Sequence, residues 1–188
     1  GNGLRLPEYV FGQTVTGDYH DSVVLNAAVG DVVLKPDENA AYLVPWYSEP
    51  TAQIIHDAYY LDNTEVTVAP RFVLKRVIRA LNDKGLSAVV APELEFFLVS
   101  QSSDPNHPLK TPPGRSGRAE TGKQAYGIDA VNDFDPFFED VYDHCESMGL
   151  DIDTLVHEGG AAQMEINFNH GEALTLADQA LIFKRTVR

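Results

Sequence analysis

The chain has one cysteine, no long apolar run and half as many basic as acidic residues, and each shortage excludes a class of protein. A lone Cys145 among 188 residues rules out an internal disulfide framework, and its place in an apolar helical pattern predicts a buried, inert thiol in a reducing compartment. No apolar stretch approaches the roughly 18 residues that span a bilayer, and no basic region followed by a hydrophobic segment opens the sequence. Membrane insertion and secretion are therefore not expected, and a cytoplasmic location is. With 14 Lys+Arg against 28 Asp+Glu, the formal charge of −14 disfavours nucleic acid and anionic membranes and suits cations. A hydrophobic content of 44% is ordinary for a globular protein and suffices for one substantial core or two small domains.

The first third reads as short β-type runs, Ser22–Leu25, Asp31–Leu34, Ala41–Val44 and Gln53–His56, broken by turn residues. Lys35-Pro36-Asp37-Glu38-Asn39 predicts a hairpin turn, because proline presets φ and Asp or Asn bonds its own backbone. Pro45 and Pro50 bracket Trp46-Tyr47, an aromatic pair expected in a packed corner. Near Pro70 the period changes. Phe72, Val73, Val77, Ile78 and Leu81 predict a helix over 71–82 that Gly85 ends, and Leu86–Val99 follows as a buried strand. The order then repeats: Asn132 or Asp133 as cap, an apolar helical stripe from Phe134 to Met148, Gly149-Leu150, and another strand. Between them Gln101–Gly127, rich in proline and glycine, is expected as a long mobile loop; Arg115, Arg118 and Lys123 would cover a phosphate or, in the favoured reading, be solvated. Such alternation indicates helices packed on a sheet, an α+β or α/β layer. Gly1-Asn2-Gly3 opens without methionine and the helical pattern from Leu176 stops at Arg188, so the chain is expected to be a piece of something longer.

Two stretches carry acids in apolar company: Ala91-Pro92-Glu93-Leu94-Glu95-Phe96-Phe97-Leu98, and His157-Glu158-Gly159-Gly160-Ala161-Ala162-Gln163-Met164-Glu165-Ile166-Asn167. Along a strand alternate residues share a face, so Glu93 and Glu95 point one way, with α-carbons about 6.6 Å apart, and Gln163, Glu165 and Asn167 point together likewise. A solvated sheet face gives the same Glu-x-Glu string. Two such stretches converging would repel unless divalent cations neutralised them, and carboxylates without cysteine suit Mg²⁺ or Mn²⁺. His157, adjacent to Glu158, faces the other way and reads as structural.

These two motifs resemble, in wording and order, the acidic motifs of the glutamine synthetase family. Gly30-Asp31-Val32-Val33-Leu34-Lys35-Pro36-Asp37, Val44-Pro45-Trp46 and Pro70-Arg71 resemble its amino-terminal domain and junction. The resemblance implies an α+β protein with a β-grasp-like domain over 1–69 and a partial catalytic domain over 70–188. It implies an ATP-dependent ligase acting on glutamate and ammonia or an amine, working as a homo-oligomeric ring with two Mg²⁺ or Mn²⁺ ions. By position, Glu95, Glu158 and Glu165 would hold the cation nearer glutamate, and Glu93 the one bridging ATP phosphates. The family's Asp-Gly-Ser-Ser stretch, which supplies an aspartate to an ammonium site, is replaced by Val15-Thr16-Gly17-Asp18, which makes Asp18 the candidate there. That wording and Ala161-Ala162-Gln163 resemble the γ-glutamylpolyamine synthetase branch, where putrescine or a related amine replaces ammonia. The family's Gly-rich segment and later arginines are not in this stretch, which implies that it does not catalyse alone. A non-catalytic relative that senses or scaffolds is the alternative of another class.

Overall fold

Leucine and valine alternating with polar residues pair the beginning of the chain with its first long strand. The computed structural model describes residues 3–19 and 30–188; the run Ser22–Leu25 lies outside them. Strand β1 (Leu4–Pro7) lies antiparallel to β2 (Asp31–Leu43), with Leu6 opposite Val32, and β3 (Ala52–Tyr59) completes the order β1-β2-β3. Helix α1 (Pro70–Asn82) starts on a proline, whose missing N–H costs nothing in a first turn. By contacts the chain divides into two compact units, Gly1–Tyr42 with Ala52–Ala88, and Leu43–Thr51 with Val89–Arg188.

In the first unit Val32, Ala58, Val66, Ala69 and Phe72 form the core, and the Tyr59 ring meets Phe72 edge-on at 5.2 Å. Arg71 binds Asp57 at 2.7 Å and Asp37 at 2.6 Å, and Lys75 also binds Asp57. The hairpin expected at Lys35–Asn39 is not formed: β2 runs straight through it. Pairing with β1 ends at Leu34, so Pro36 lies beyond it, where a strand edge tolerates a missing N–H. The expected Asx bond is there, Asn39 N to Asp37 Oδ1 at 3.0 Å, without a reversal.

In the second unit the stretch expected as one buried strand, Leu86–Val99, is broken at Ala91-Pro92. Its first part, β4 (Val89–Val90), is exposed and pairs with β8 (Gly171–Glu172); its second, β5 (Glu93–Phe97), joins another sheet. Pro92 has no N–H for a ladder, and its carbonyl instead accepts from Phe168 N at 3.0 Å. A short α2 (Ile128–Asn132) precedes α3 (Asp135–Met148). Neither Asn132 nor Asp133 caps α3; Phe134 holds the cap position, because the Asp133 carboxylate is taken by Ser116 N and Oγ at 2.7 and 2.8 Å. Gly149 ends α3 at φ +70°, with Leu150 N reaching back to Cys145 O. Strands β6 (Ile152–His157) and β7 (Gln163–Phe168) complete a sheet ordered β5-β7-β6, and α4 (Ala173–Thr186) is capped by the Glu172 carboxylate. Met164, Ile166 and Phe168 of β7 are buried, as are Phe138, Val141 and Cys145 of α3 and Phe183 of α4, whose ring meets Phe168 edge-on at 5.4 Å. Trp46 packs edge-on against His144 at 5.8 Å, while Tyr47 is exposed.

Residues 101–110 are exposed as expected of a solvated excursion, but the rest of that loop is tied down. Pro113 bridges Ala119, Arg115 N donates to Asp133 O, Tyr126 N donates to His157 O, and Glu120 is buried. Among the described residues no helix is long and apolar enough to cross a membrane. The architecture is α+β, with small antiparallel sheets.

Candidate metal and substrate site

Register decides what the two acidic stretches do together. β5 and β7 are antiparallel with Glu95 directly opposite Glu165, Glu93 opposite Asn167 and Phe97 opposite Gln163. Leu94 and Phe96 share the other face with Met164 and Ile166, both fully buried. Burial of that face fixes the register, since a slip of one residue would put the glutamates into the core. Across β7 from β5, His157 lies opposite Met164, and the next residue, Glu158, continues the ladder with its N–H to Gln163 O at 2.7 Å. Alternation therefore buries His157 and turns Glu158 toward Glu165.

The electrostatics agree with that geometry. Burial pushes the Glu165 carboxyl above its ordinary value, the charges of Glu158, Glu93 and Glu95 push it further, and a hydrogen bond from Asn167 opposes them. The charges of the three other glutamates are thus felt at Glu165. Among the described residues no three His, Cys, Asp or Glu side chains are drawn together as a preformed metal cage. The donor chemistry nonetheless fits a hard divalent cation: every acid offers oxygen, and Asn167 Oδ1, beside Glu93 and Glu165, is buried without a hydrogen-bond partner among the described residues. Asp18 belongs to the first unit, exposed in a turn where Thr16 Oγ1 donates to Oδ2 at 3.0 Å and Thr14 N to its carbonyl at 2.7 Å.

Three residues absent from the predicted set shape this face. Gln163 Oε1 accepts from Gly160 N at 2.8 Å, which turns its amide nitrogen toward Glu95 Oε2 at 2.6 Å. A β-carbon on Gly160 would meet Phe97 and Gln163 Oε1 at 2.8 Å, so the glycine lets the turn approach β5. A single oxygen of Glu120 accepts from Ala162 N at 2.6 Å and is hydrogen-bonded with the His157 ring at 2.8 Å. Gln163 was legible as a residue of the acidic face; Glu120, one acid in a polar loop, gave no signal.

A family profile for the glutamine synthetase catalytic domain matches residues 67–188. The chain belongs to the glutamine synthetase family. It is 32% identical over 195 aligned residues to the gamma-glutamylputrescine synthetase PuuA of Escherichia coli, covering 99% of this chain and 40% of that protein. The glutamine synthetase of Thermus thermophilus is 32% identical over 166 residues, 84% of this chain and 35% of its own. Among solved structures, a crystal structure of a novel glutamine synthase homolog superposes with a TM-score of 0.79 at 19% identity, covering all of this chain and 41% of its own, so the fold is the family's. The chain thus spans about 40% of the length of the curated relative it matches most fully of these.

Proposed function

We propose that the complete protein is a divalent-metal-dependent ligase that joins the γ-carboxyl of glutamate to ammonia or an amine at the expense of ATP. The observation that carries this reading is the pairing of Glu95 with Glu165 across β5 and β7, with Glu158 and Glu93 acting on the same carboxylate. Glu95, Glu158 and Glu165 would hold the Mg²⁺ or Mn²⁺ nearer glutamate, and Glu93 would help hold the one at the ATP phosphates. A divalent cation held by these glutamates would supply charge neutralisation at phosphate oxygens. A γ-carboxylate oxygen attacks the terminal phosphorus, the bond to the bridging oxygen breaks, and ADP leaves. The amine nitrogen then attacks the acyl carbon, phosphate departs with the C–O electrons, and the nitrogen gives up a proton. The residues of this chain bind and orient: Gln163 holds Glu95, Asn167 holds Glu165, and Phe97 with Gly160 closes one end of the face. Asp18 is assigned to the amine, the domains to 1–69 and 70–188, and the working form to a homo-oligomeric ring in the cytoplasm.

A larger amine than ammonia is the second reading, supported by the likeness to the Escherichia coli gamma-glutamylputrescine synthetase, which aligns over 99% of this chain. The test is phosphate release by the complete protein with glutamate, ATP and Mn²⁺ or Mg²⁺, comparing ammonia with putrescine. Release dependent on amine and metal is expected, with the better amine naming the subclass. No amine-dependent release, with Mn²⁺ still bound, would instead support the sensing or scaffolding alternative.

A further inference from the structure

The turn that carries Glu158 is held from beneath by a residue of the long loop. Glu120 is buried, with its side chain 5% exposed, although the residues on either side of it are exposed. Its Oε2 engages both ends of the turn: it accepts from the Ala162 amide at 2.6 Å and shares a hydrogen bond with the His157 ring Nε2 at 2.8 Å. His157 Nδ1 in turn donates to the Glu158 carbonyl at 2.8 Å, since a carbonyl only accepts. Ala162 is buried at φ +53°, a left-handed conformation that a non-glycine residue adopts only when its surroundings enforce it. The other oxygen of Glu120, Oε1, is buried without a partner among the described residues. Burying a carboxylate with an unpaired oxygen opposes folding, so stability alone is a poor reason for an acid here.

The loop delivers Glu120 to that point by its own bonds. Thr111 Oγ1 donates to the Glu120 carbonyl at 2.8 Å, Pro113 bridges Ala119, and Ser116 is anchored on Asp133. Glu120 is 37 residues before His157 and 42 before Ala162 in the chain. A contact of that range fixes where the turn sits relative to the sheet, which a bond within the turn does not.

We propose that Glu120 is a positioning residue: by clamping His157 and Ala162 on one carboxylate oxygen it fixes the Glu158–Ala161 turn, and with it the Glu158 carboxylate and the Gly160–Gln163–Glu95 chain of hydrogen bonds, for cation binding. The inference rests on the metal reading above. It assigns Glu120 no contact with substrate or metal; it acts through Glu158 and Gln163.

The test is Mn²⁺ titration of the complete protein by calorimetry or electron paramagnetic resonance, comparing parent with Glu120→Met, which keeps the volume and removes the acceptors. Partners behind metal ligands typically matter about 10- to 100-fold in affinity, so Mn²⁺ binding should weaken about 10-fold or more. Turnover at saturating Mn²⁺ should return to within about threefold of parent, a split that general damage to the fold would not produce. Glu120→Gln, which keeps one acceptor, should fall between the two. Unchanged Mn²⁺ affinity in either folded variant, or lost turnover with affinity intact, overturns the proposal; a parent that binds no Mn²⁺ overturns the metal reading itself. Should neither variant fold, hydrogen exchange in the parent decides: the Ala162 amide should be protected by about 100-fold or more, and an unprotected amide overturns the clamp.

Discussion

Glu95 and Glu165 face each other directly across two strands, the arrangement in which like charges destabilise a sheet. Replacing either by glutamine in the complete protein should therefore abolish amide formation, by about 100-fold or more, the upper end of what even indirect partners of a metal cost. The metal-free variant should be as stable as the parent or up to about 1 kcal/mol more so, read from urea unfolding. A variant with near-parental turnover would remove these residues from the site. In the first unit the sign is opposite. The Arg71 guanidinium, and after it the Asn39 amide, hold the Asp37 carboxyl below its ordinary 3.8. The folded state then binds fewer protons than the unfolded one, so the bond contributes above pH 3.8 and is lost as pH falls through the lowered value. Asp37→Asn should cost about 1–2 kcal/mol near neutral pH, and the gap from the parent should close in acid. A gap that stays constant from neutral to acid pH would contradict the ion pair.

At the scale of elements, the glycine pair between β6 and β7 separates two roles that look identical in sequence. A β-carbon on Gly159 meets nothing within 4 Å, whereas one on Gly160 meets Phe97 and the Gln163 amide oxygen at 2.8 Å. Gly159→Ala should stay within about 0.5 kcal/mol of the parent, while Gly160→Ala should cost about 1–3 kcal/mol and weaken Mn²⁺ binding by displacing Gln163. Equal behaviour of the two in unfolding and titration would show that the turn does not pack on β5. Helix α3 gives a chemical test of its buried stripe. Burial pushes the Cys145 thiol up to about 12, so thiol reagents at pH 8 should label the native protein slowly and the urea-unfolded protein at once. Fast native labelling would mean that α3 leaves the sheet readily.

For the molecule as a whole, the metal reading predicts that a divalent cation stabilises this acidic chain. Mn²⁺ at about 100 times its dissociation constant should add about 2.7 kcal/mol to unfolding, measurable as a raised Tm in the parent and absent in Glu165→Gln. The sequence by itself determined helices α1, α3 and α4, the left-handed Gly85, the buried cysteine and the acidic motifs, because each rests on local periodicity or backbone freedom that neighbours in the chain decide. Its errors share a cause. Pro36 and Asp37 look like a turn, Pro92 looks tolerable within a strand, and Asp133 looks like a cap, until a partner far away in the chain settles each: an edge beyond β1, the separate pairing of β4, and the Ser116 loop. The same holds at the candidate site. That Glu93 shares a face with Glu95, and Glu165 with Gln163 and Asn167, was legible from strand alternation, and the grouping with Glu158 came from the family resemblance, whereas the opposition of Glu95 to Glu165, the Gln163 bridge and the Glu120 clamp were decided only by the tertiary structure, since register and burial arise from contacts that no single segment contains.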